Sequence, residues 1–472
     1  MARTLKILFA AIIFVPVTLF VLGWLQYRLG GGLQGWAAGS CHIPLVEWHW
    51  CSADTQLAWV SSLLFHLLLF VMVMATLLTV AERKWSAFTQ DRIGPERARI
   101  GLPWLKNHSL GGLPHVAADA LKMIFKEDTR PKAADRTLFW LGPVLAFAPI
   151  FALAAVIPFG PTVPVNDFPV AAQVSNPNFG LLWVFAIASL AVYGTSLAGW
   201  ASNSKFALLG GVRAASQMIS YEVALGLSLV GMMVAFTTVQ LPAMVGSAAE
   251  GTGQAQYLWA TNVGGMDFGI PAWGIFLQPL GFLLFFVASF AETKRAPFDI
   301  PEGESEIIGY FLEYSGMKFG TFMISEFVEV VVLSALITAI FFGGWHFGFG
   351  FDVALAQGLG TSHPVLYGAM CSTVFTMKVI FLCWFQLIVR WTFPRFRYDQ
   401  IMTLGWKILL PFGLFNLFLS AALVLYDPSL HALALAGFAE IAIVLGLTLT
   451  RKAKPAASDA HPLPAAAVSA HH

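Results

Sequence analysis

Between Glu292 and Phe319 the stretch ETKRAPFDIPEGESEIIGYFLEYSGMKF sets six carboxylates, Glu292, Asp299, Glu302, Glu304, Glu306 and Glu313, into a chain that is 57% hydrophobic. More charge stands inside apolar runs: Glu222 in QMISYEVALG, Glu326 and Glu329 at i and i+3 on one helical face, and Lys378 twelve residues before Arg390. At about 1.5 Å per residue, Glu222 lies ~13 Å beyond Arg213 and Lys378 ~18 Å from Arg390. Ionisable groups at such depth cost several kcal/mol unless paired or hydrated. One reading is structural ion pairing between helices, for instance Lys378 with a glutamate. The other is a hydrated row of carboxylates that exchanges protons, its affinities tuned by burial and like-charge crowding. The row is the better account, because acids from several runs gather on the side of the acidic stretch, with Lys378 the exception. Glu440, in the last apolar run, has no charged neighbour in sequence and could face a partner; His66 reads as a hydrogen-bonded structural histidine.

The elements that must position these groups follow from hydropathy. At 472 residues, 11% charged, with mean hydropathy +0.72, the chain is too apolar for an ordinary soluble domain. Barrel-type alternation is absent, so the fold expected is all-α, a polytopic transmembrane helix bundle. A span needs about 20 apolar residues, and ten runs qualify: 5–25, 57–81, 139–157, 180–200, 213–236, 273–292, 322–343, 372–390, 407–425 and 432–450. On this map the bases alternate. One side holds Arg3 and Lys6, the basic loop from Arg83 to Arg136, Lys205 and Arg213, Lys294, Arg295 and Lys318, Arg395, Arg397 and Lys407, and Arg451 to Lys454; the other holds Arg28. Short basic loops stay cytoplasmic, which puts both termini and the acidic stretch on that face. No A-x-A site closely follows the first run, so it reads as a retained helix and not a signal peptide.

Cys41 and Cys51 share the loop CHIPLVEWHWC, where a disulfide or a metal site with His42 and His49 are both open. Cys371 and Cys383 read as apolar filler. No four-cysteine spacing suits an iron–sulfur cluster and no Gly-rich dinucleotide fingerprint follows a strand, so any redox cofactor is expected in another subunit. No nucleic-acid partner is expected. Between the second and third runs, LPHVAADALKMIFKED starts with Pro114 at a favourable first helical position. It places His115, Asp119, Lys122 and Lys126 on one face and Leu113, Val116, Ala120 and Ile124 on the other. This predicts an interfacial helix that either rests on lipid headgroups or turns its polar face toward an entrance for an amphiphile.

Five segments carry a family resemblance: AERKWSAFTQDRIGPERARIG (81–101), ADALKMIFKED (118–128), GWASNSKFALLGGVRAASQMISYEVALGLSL (199–229), the acidic stretch, and RWTFPRFRYDQIMTLGWKILLP (390–411). In this order they resemble the family of H subunits of bacterial respiratory complex I, the NADH:quinone oxidoreductase, over about residues 57–426. The resemblance implies an eight-helix core with an extra helix at each end. The division is 1–56 for the extra first span and outer loop, 57–426 for the core, 427–450 for the extra last span, and 451–472 for a disordered tail. It implies a subunit of a bacterial inner-membrane, proton-translocating enzyme, inactive alone, with quinone as substrate and the other complex I subunits and the lipid bilayer as partners. FMN and iron–sulfur clusters belong in those partners.

Carried over residue by residue, Arg83, Arg92, Asp119, Phe298, Asp299, Glu302 and Arg390 would lie along a quinone chamber. The buried glutamates Glu222, Glu292, Glu304, Glu306, Glu313 and Glu326 would form a proton path, to which Lys378 is added from its depth. Quinone reduction takes two electrons and two protons, and its anionic intermediates need cations and donors nearby. Charge created in the chamber would then perturb the closest carboxylates. Two departures stand out: the terminal spans lie outside the family core, and Lys294 stands where many relatives carry a neutral Asn. Two rivals remain. A related hydrogenase subunit would need no quinone, and the complete R-A-P-F-D and R-F-R-Y-D-Q segments weigh against it; an ion transporter would bring inverted repeats and paired broken spans, which the sequence lacks.

Overall fold

The computed structural model describes residues 15–33, 59–98, 110–165, 168–248, 250–263, 266–303, 306–348 and 350–450. Glu304, Cys41, Cys51 and the tail beyond residue 450 lie outside the described residues, as does the start of the first predicted span. Helix α1 covers residues 15–33. It is followed by α2 (Val60–Thr89), α3 (Pro114–Phe125), α4 (Arg136–Ala154), α5 (Gly180–Ala201) and α6 (Lys205–Phe236). Then come α7 (Pro279–Glu292), α8 (Gly316–Phe341), α9 (Phe351–Ser362), α10 (Pro364–Thr392), α11 (Tyr398–Tyr426) and α12 (His431–Thr450). Among the described residues seven helices, α2, α4, α5, α6, α8, α10 and α11, are long and apolar enough to cross a membrane. With α1 and the shorter apolar α7 and α12, each of the ten runs read from hydropathy contains a described helix, and the chain is an all-α polytopic membrane bundle.

Helix α8 is the centre. Every residue from Ser325 to Phe341 is buried, as expected of a helix that is apolar all round, and α2, α4 and α10 pack against it. Glu326 and Glu329 are therefore enclosed by protein on every side. Helix α6 begins at Lys205, eight residues before the start predicted at Arg213; its 32 residues make it ~48 Å long. Glu222 thus sits seventeen residues into the helix. Helix α7 is the opposite case: the run from 273 breaks at Gln278 (φ −143°, ψ 67°), and the 14 residues from Pro279 span only ~21 Å, short of the ~30 Å hydrocarbon core.

The base-poor loops carry structure that hydropathy does not signal. Val163–Val165 pairs with Phe168–Val170 and Tyr257–Val263 with Met266–Pro271, both antiparallel, and α9 precedes α10. Helix α2 contains π-helical turns over Leu63–Val71, where His66 bonds Ser372 Oγ at 3.2 Å and stacks on Phe159.

Candidate functional site

The acidic stretch does not float at the surface. From Glu292 to Gly303 most of it is buried, because Gln217 of α6 donates to the carbonyls of Ala291 (2.8 Å) and Phe298 (2.9 Å) and ties the loop down. Phe298 packs between Tyr221 and Phe396, and the Tyr221 hydroxyl donates to Ile401 O. Three elements are locked together by these contacts: α6, the loop, and the segment joining α10 to α11.

The loop begins with two buried cations. Lys294 has a left-handed backbone (φ 54°), a region that Asn and Gly adopt more readily than long side chains. Its ammonium faces Glu329, Glu326, Glu292 and Glu302; burial lowers its pKa, but the four carboxylates outweigh burial and the net shift is upward. Arg295 lies over the Phe327 ring at 3.9 Å and donates to Glu82 at 2.8 Å, with side chains 9% and 12% exposed. Glu82 also accepts from Arg390. The predicted chamber residue Arg390 is thus joined to the loop through a carboxylate that the sequence did not single out. Glu82 ends an apolar run within a cluster of charges, where it passes for an ordinary interfacial acid.

The remaining acids extend from this junction in a row. Asp299 is flanked by Arg395 and Arg390 and by Glu302; burial, opposed by the two arginines, pushes it up to about 6. Arg395 also donates to the Asp299 carbonyl. Glu302 lies against Glu326 and Asp299, and burial, reinforced by both, drives it well above the usual carboxylate range. Glu326 accepts from the Tyr310 hydroxyl at 3.0 Å. Lys294 links Glu326 and Glu329, and Glu329 neighbours Glu292, which in turn faces Glu222 on α6. Glu292 Oε2 is buried with no hydrogen-bond partner among the described residues. Asp299, Glu302, Glu326, Glu329, Glu292 and Glu222 form one electrostatically connected series with a single ammonium in its middle. The charge on any one of these groups acts on the next.

Other predicted residues stand apart from it. Arg83 and Asp119 pair with each other at 2.8 Å at the surface, fastening α3 to the end of α2. On α3 Pro114, His115, Val116, Asp119 and Met123 are partly covered, while Leu121, Lys122, Ile124 and Phe125 are exposed, as is Lys126 after it, so the expected polar face is split and the inward face is mixed. A cavity of about 230 Å³ adjoins this helix, lined by Met123, Ile124, Trp140 and Lys318 among others. Arg92 is exposed and bonds Gln90 locally. Glu306, expected among the buried glutamates, is a surface residue, 62% exposed and paired with Arg213 at 3.1 Å, although Ile307 beside it is buried. Glu313 is half-buried and makes no ion pair among the described residues.

Lys378, added to the proton path from its depth, stands apart from the row of carboxylates. Its Nζ donates to the carbonyls of Phe342 (2.8 Å), Gly344 (3.0 Å) and His346 (2.6 Å) and lies over the Trp273 ring at 4.5 Å. These carbonyls follow the C-terminus of α8, where backbone acceptors lack helical partners and the dipole favours a cation. Glu326 and Glu329 lie fifteen and twelve residues before Phe341, about 22 and 18 Å back along that helix, and Lys378 pairs with no glutamate among the described residues.

The sequence matches the family model described as NADH dehydrogenase over residues 62–421. It is similar to the H subunit of NADH-quinone oxidoreductase from Flavobacterium johnsoniae, 40% identical over 356 residues, covering 75% of this chain and 91% of that one. It is also similar to NADH-quinone oxidoreductase subunit 8 of Rhodothermus marinus, 38% identical over 369 residues and covering 78% and 98% of the two chains. With an H subunit of the NADH-quinone oxidoreductase of Geobacter sulfurreducens the identity is 40% over 357 residues, 75% and 93% of the respective lengths.

Proposed function

We propose, since this chain belongs to the NADH dehydrogenase family, that it is a membrane subunit of a proton-pumping NADH:quinone oxidoreductase. In this reading it builds part of the quinone-access chamber and links quinone reduction to proton translocation through its buried carboxylates. The observation that carries the reading is the unbroken series from the Arg390–Glu82–Arg295 junction through Asp299, Glu302, Glu326 and Lys294 to Glu292 and Glu222.

Asp299 and Glu302 lie at the end nearest the arginines. A quinone reduced beside them gains negative charge before it gains protons, and cations and proton donors at that place lower the barrier. The same charge changes the electrostatic cost of an ionised Asp299 or Glu302. Because Glu302 touches Glu326, and Lys294 spans Glu326, Glu329 and Glu292, a proton shift at one end alters occupancy toward Glu222. Redox cofactors, FMN and iron–sulfur clusters, are assigned to partner subunits, which supply electrons to the quinone. The partners are the remaining subunits of the complex and the lipid bilayer. The basic loops favour a bacterial inner-membrane placement with both termini cytoplasmic, and the helices outside 57–426 are additions to the family core.

The test is to extract the assembly from native membranes in mild detergent and measure NADH oxidation with a quinone acceptor beside formate-dependent hydrogen evolution. Inhibitor-sensitive NADH:quinone activity is expected. Hydrogen evolution without quinone reduction would assign the chain to the related hydrogenases, and neither activity would reopen the transporter reading.

A further inference from the structure

Helix α12 lies beyond the residues that match the family model, which end at 421, yet it reaches the break before α7. Gly437 lets it come close: a Cβ there would be 2.1 Å from Phe276 O. Three residues on, Glu440 Oε2 accepts from the Leu280 N–H at 3.2 Å, one of the donors that the first turn of a helix leaves unpaired. A carboxylate at a helix N-terminus is also favoured by the helix dipole.

A second polar group sits at the same break. Gln278 is 1% exposed and Asn416 2%, and Gln278 Oε1 and Asn416 Nδ2 both lack a hydrogen-bond partner among the described residues. Gln278 uses its amide nitrogen on Ser420 Oγ (2.8 Å), and Ser420 donates to Asn416 O (2.6 Å), so neither serine nor backbone relieves the other two atoms. Two glycines shape the space between them. A Cβ on Gly231 would fall 2.5 Å from Gln278 Oε1. The Cβ position of Gly281 is 3.1 Å from Asn416 Nδ2, 3.2 Å from Gln278 Oε1 and 3.2 Å from Ser228 O, so one donor and two acceptors converge there. A water just outside that position would accept one bond and donate two, the usual complement of a buried water. Leaving an amide donor and an amide acceptor buried and unmatched would cost far more than immobilising one water.

We infer that the start of α7 is seated by a bound water between Asn416, Gln278 and Ser228 and by Glu440 of α12. Glu440 is thereby a positioning residue for Glu292, which the same helix carries at its other end, eleven residues beyond Gly281. This second step rests on the proposed role of Glu292; the water site does not.

An experimental map of the intact assembly at a resolution that shows ordered solvent tests the first step. Density within about 3.2 Å of both Asn416 Nδ2 and Gln278 Oε1 is expected; the two amides bonded directly to each other, with no density between, would overturn it. The second step is tested by Glu440→Leu and Glu440→Gln in the assembled complex. Glu440→Leu should lower quinone-linked proton translocation severalfold and move its pH profile. Glu440→Gln keeps an acceptor for Leu280 and should restore both. A Glu440→Leu complex with the parental rate and pH profile, beside a Glu292→Gln complex that is impaired, would overturn the positioning role. If Glu292→Gln is itself at parental level, the coupling reading fails and the density still decides the water site. Should Glu440→Leu not assemble, rescue of the parental pH profile by Glu440→Gln is the expected result, and an altered profile in Glu440→Gln contradicts the role.

Discussion

Arg295 and Glu82 are joined across 2.8 Å at the junction of α2, α10 and the acidic loop, both nearly excluded from solvent. Removing one partner of such a pair leaves a buried charge uncompensated, at a cost of about 3–5 kcal/mol. Glu82→Ala should therefore lower the thermal stability of the isolated complex sharply and release Arg390 as well, whereas Glu82→Asp should recover part of it. Equal melting temperatures for Glu82→Ala and the parent would show that the junction contributes little.

Lys294 offers a separable test of the row. Its left-handed backbone suits asparagine, so Lys294→Asn should assemble normally. Loss of the ammonium removes the cation that favours the ionised form of its neighbours, so Glu302 should hold its proton more tightly still. The pH profile of quinone reduction is expected to move to higher pH, by about one unit for a neighbouring charge of this kind. An unmoved profile would separate Lys294 from the chemistry.

Asp299 gives the row a pH signature in stability. Its native pKa, about 6, lies above the ordinary aspartate value of 3.8, so the folded protein binds its proton more tightly than the unfolded chain does. The stabilisation from that proton is complete below about pH 4 and is lost as pH rises through 6, to at most about 3 kcal/mol. Asp299→Asn, which cannot ionise, should gain stability relative to the parent between pH 5 and pH 7. Melting curves at the two pH values that keep a constant difference between the proteins would contradict this.

Lys378 carries a structural prediction. Its three bonds close the C-terminal end of α8. Lys378→Met should cost roughly 1–3 kcal/mol of stability by leaving buried carbonyls without a donor, with proteolysis or hydrogen exchange increasing first around Phe342 to His346. Unchanged protection in that segment would rule out the capping role.

The helices within the ten apolar runs and the enclosure of Glu326 and Glu329 were legible because hydropathy and helical spacing are local properties. Partners were not. Lys378 was added to the proton path from its depth, since sequence depth does not reveal that α8 ends beside it. Glu82 was passed over because its two arginines come from residues 295 and 390, remote in sequence. The break at Gln278 was hidden in an apolar window that averaged across it, and Glu306 read as buried because its place was carried over from the family, while its surface pairing with Arg213 depends on tertiary packing.

The most direct measurement is proton translocation per NADH oxidised by the complex in proteoliposomes, comparing the parent with Glu292→Gln and Glu222→Gln. If quinone chemistry drives protons through the row, both variants should lose most of the translocation assigned to this chain and slow quinone reduction. Quinone reduction and translocation both at parental levels in the two variants would contradict the coupling.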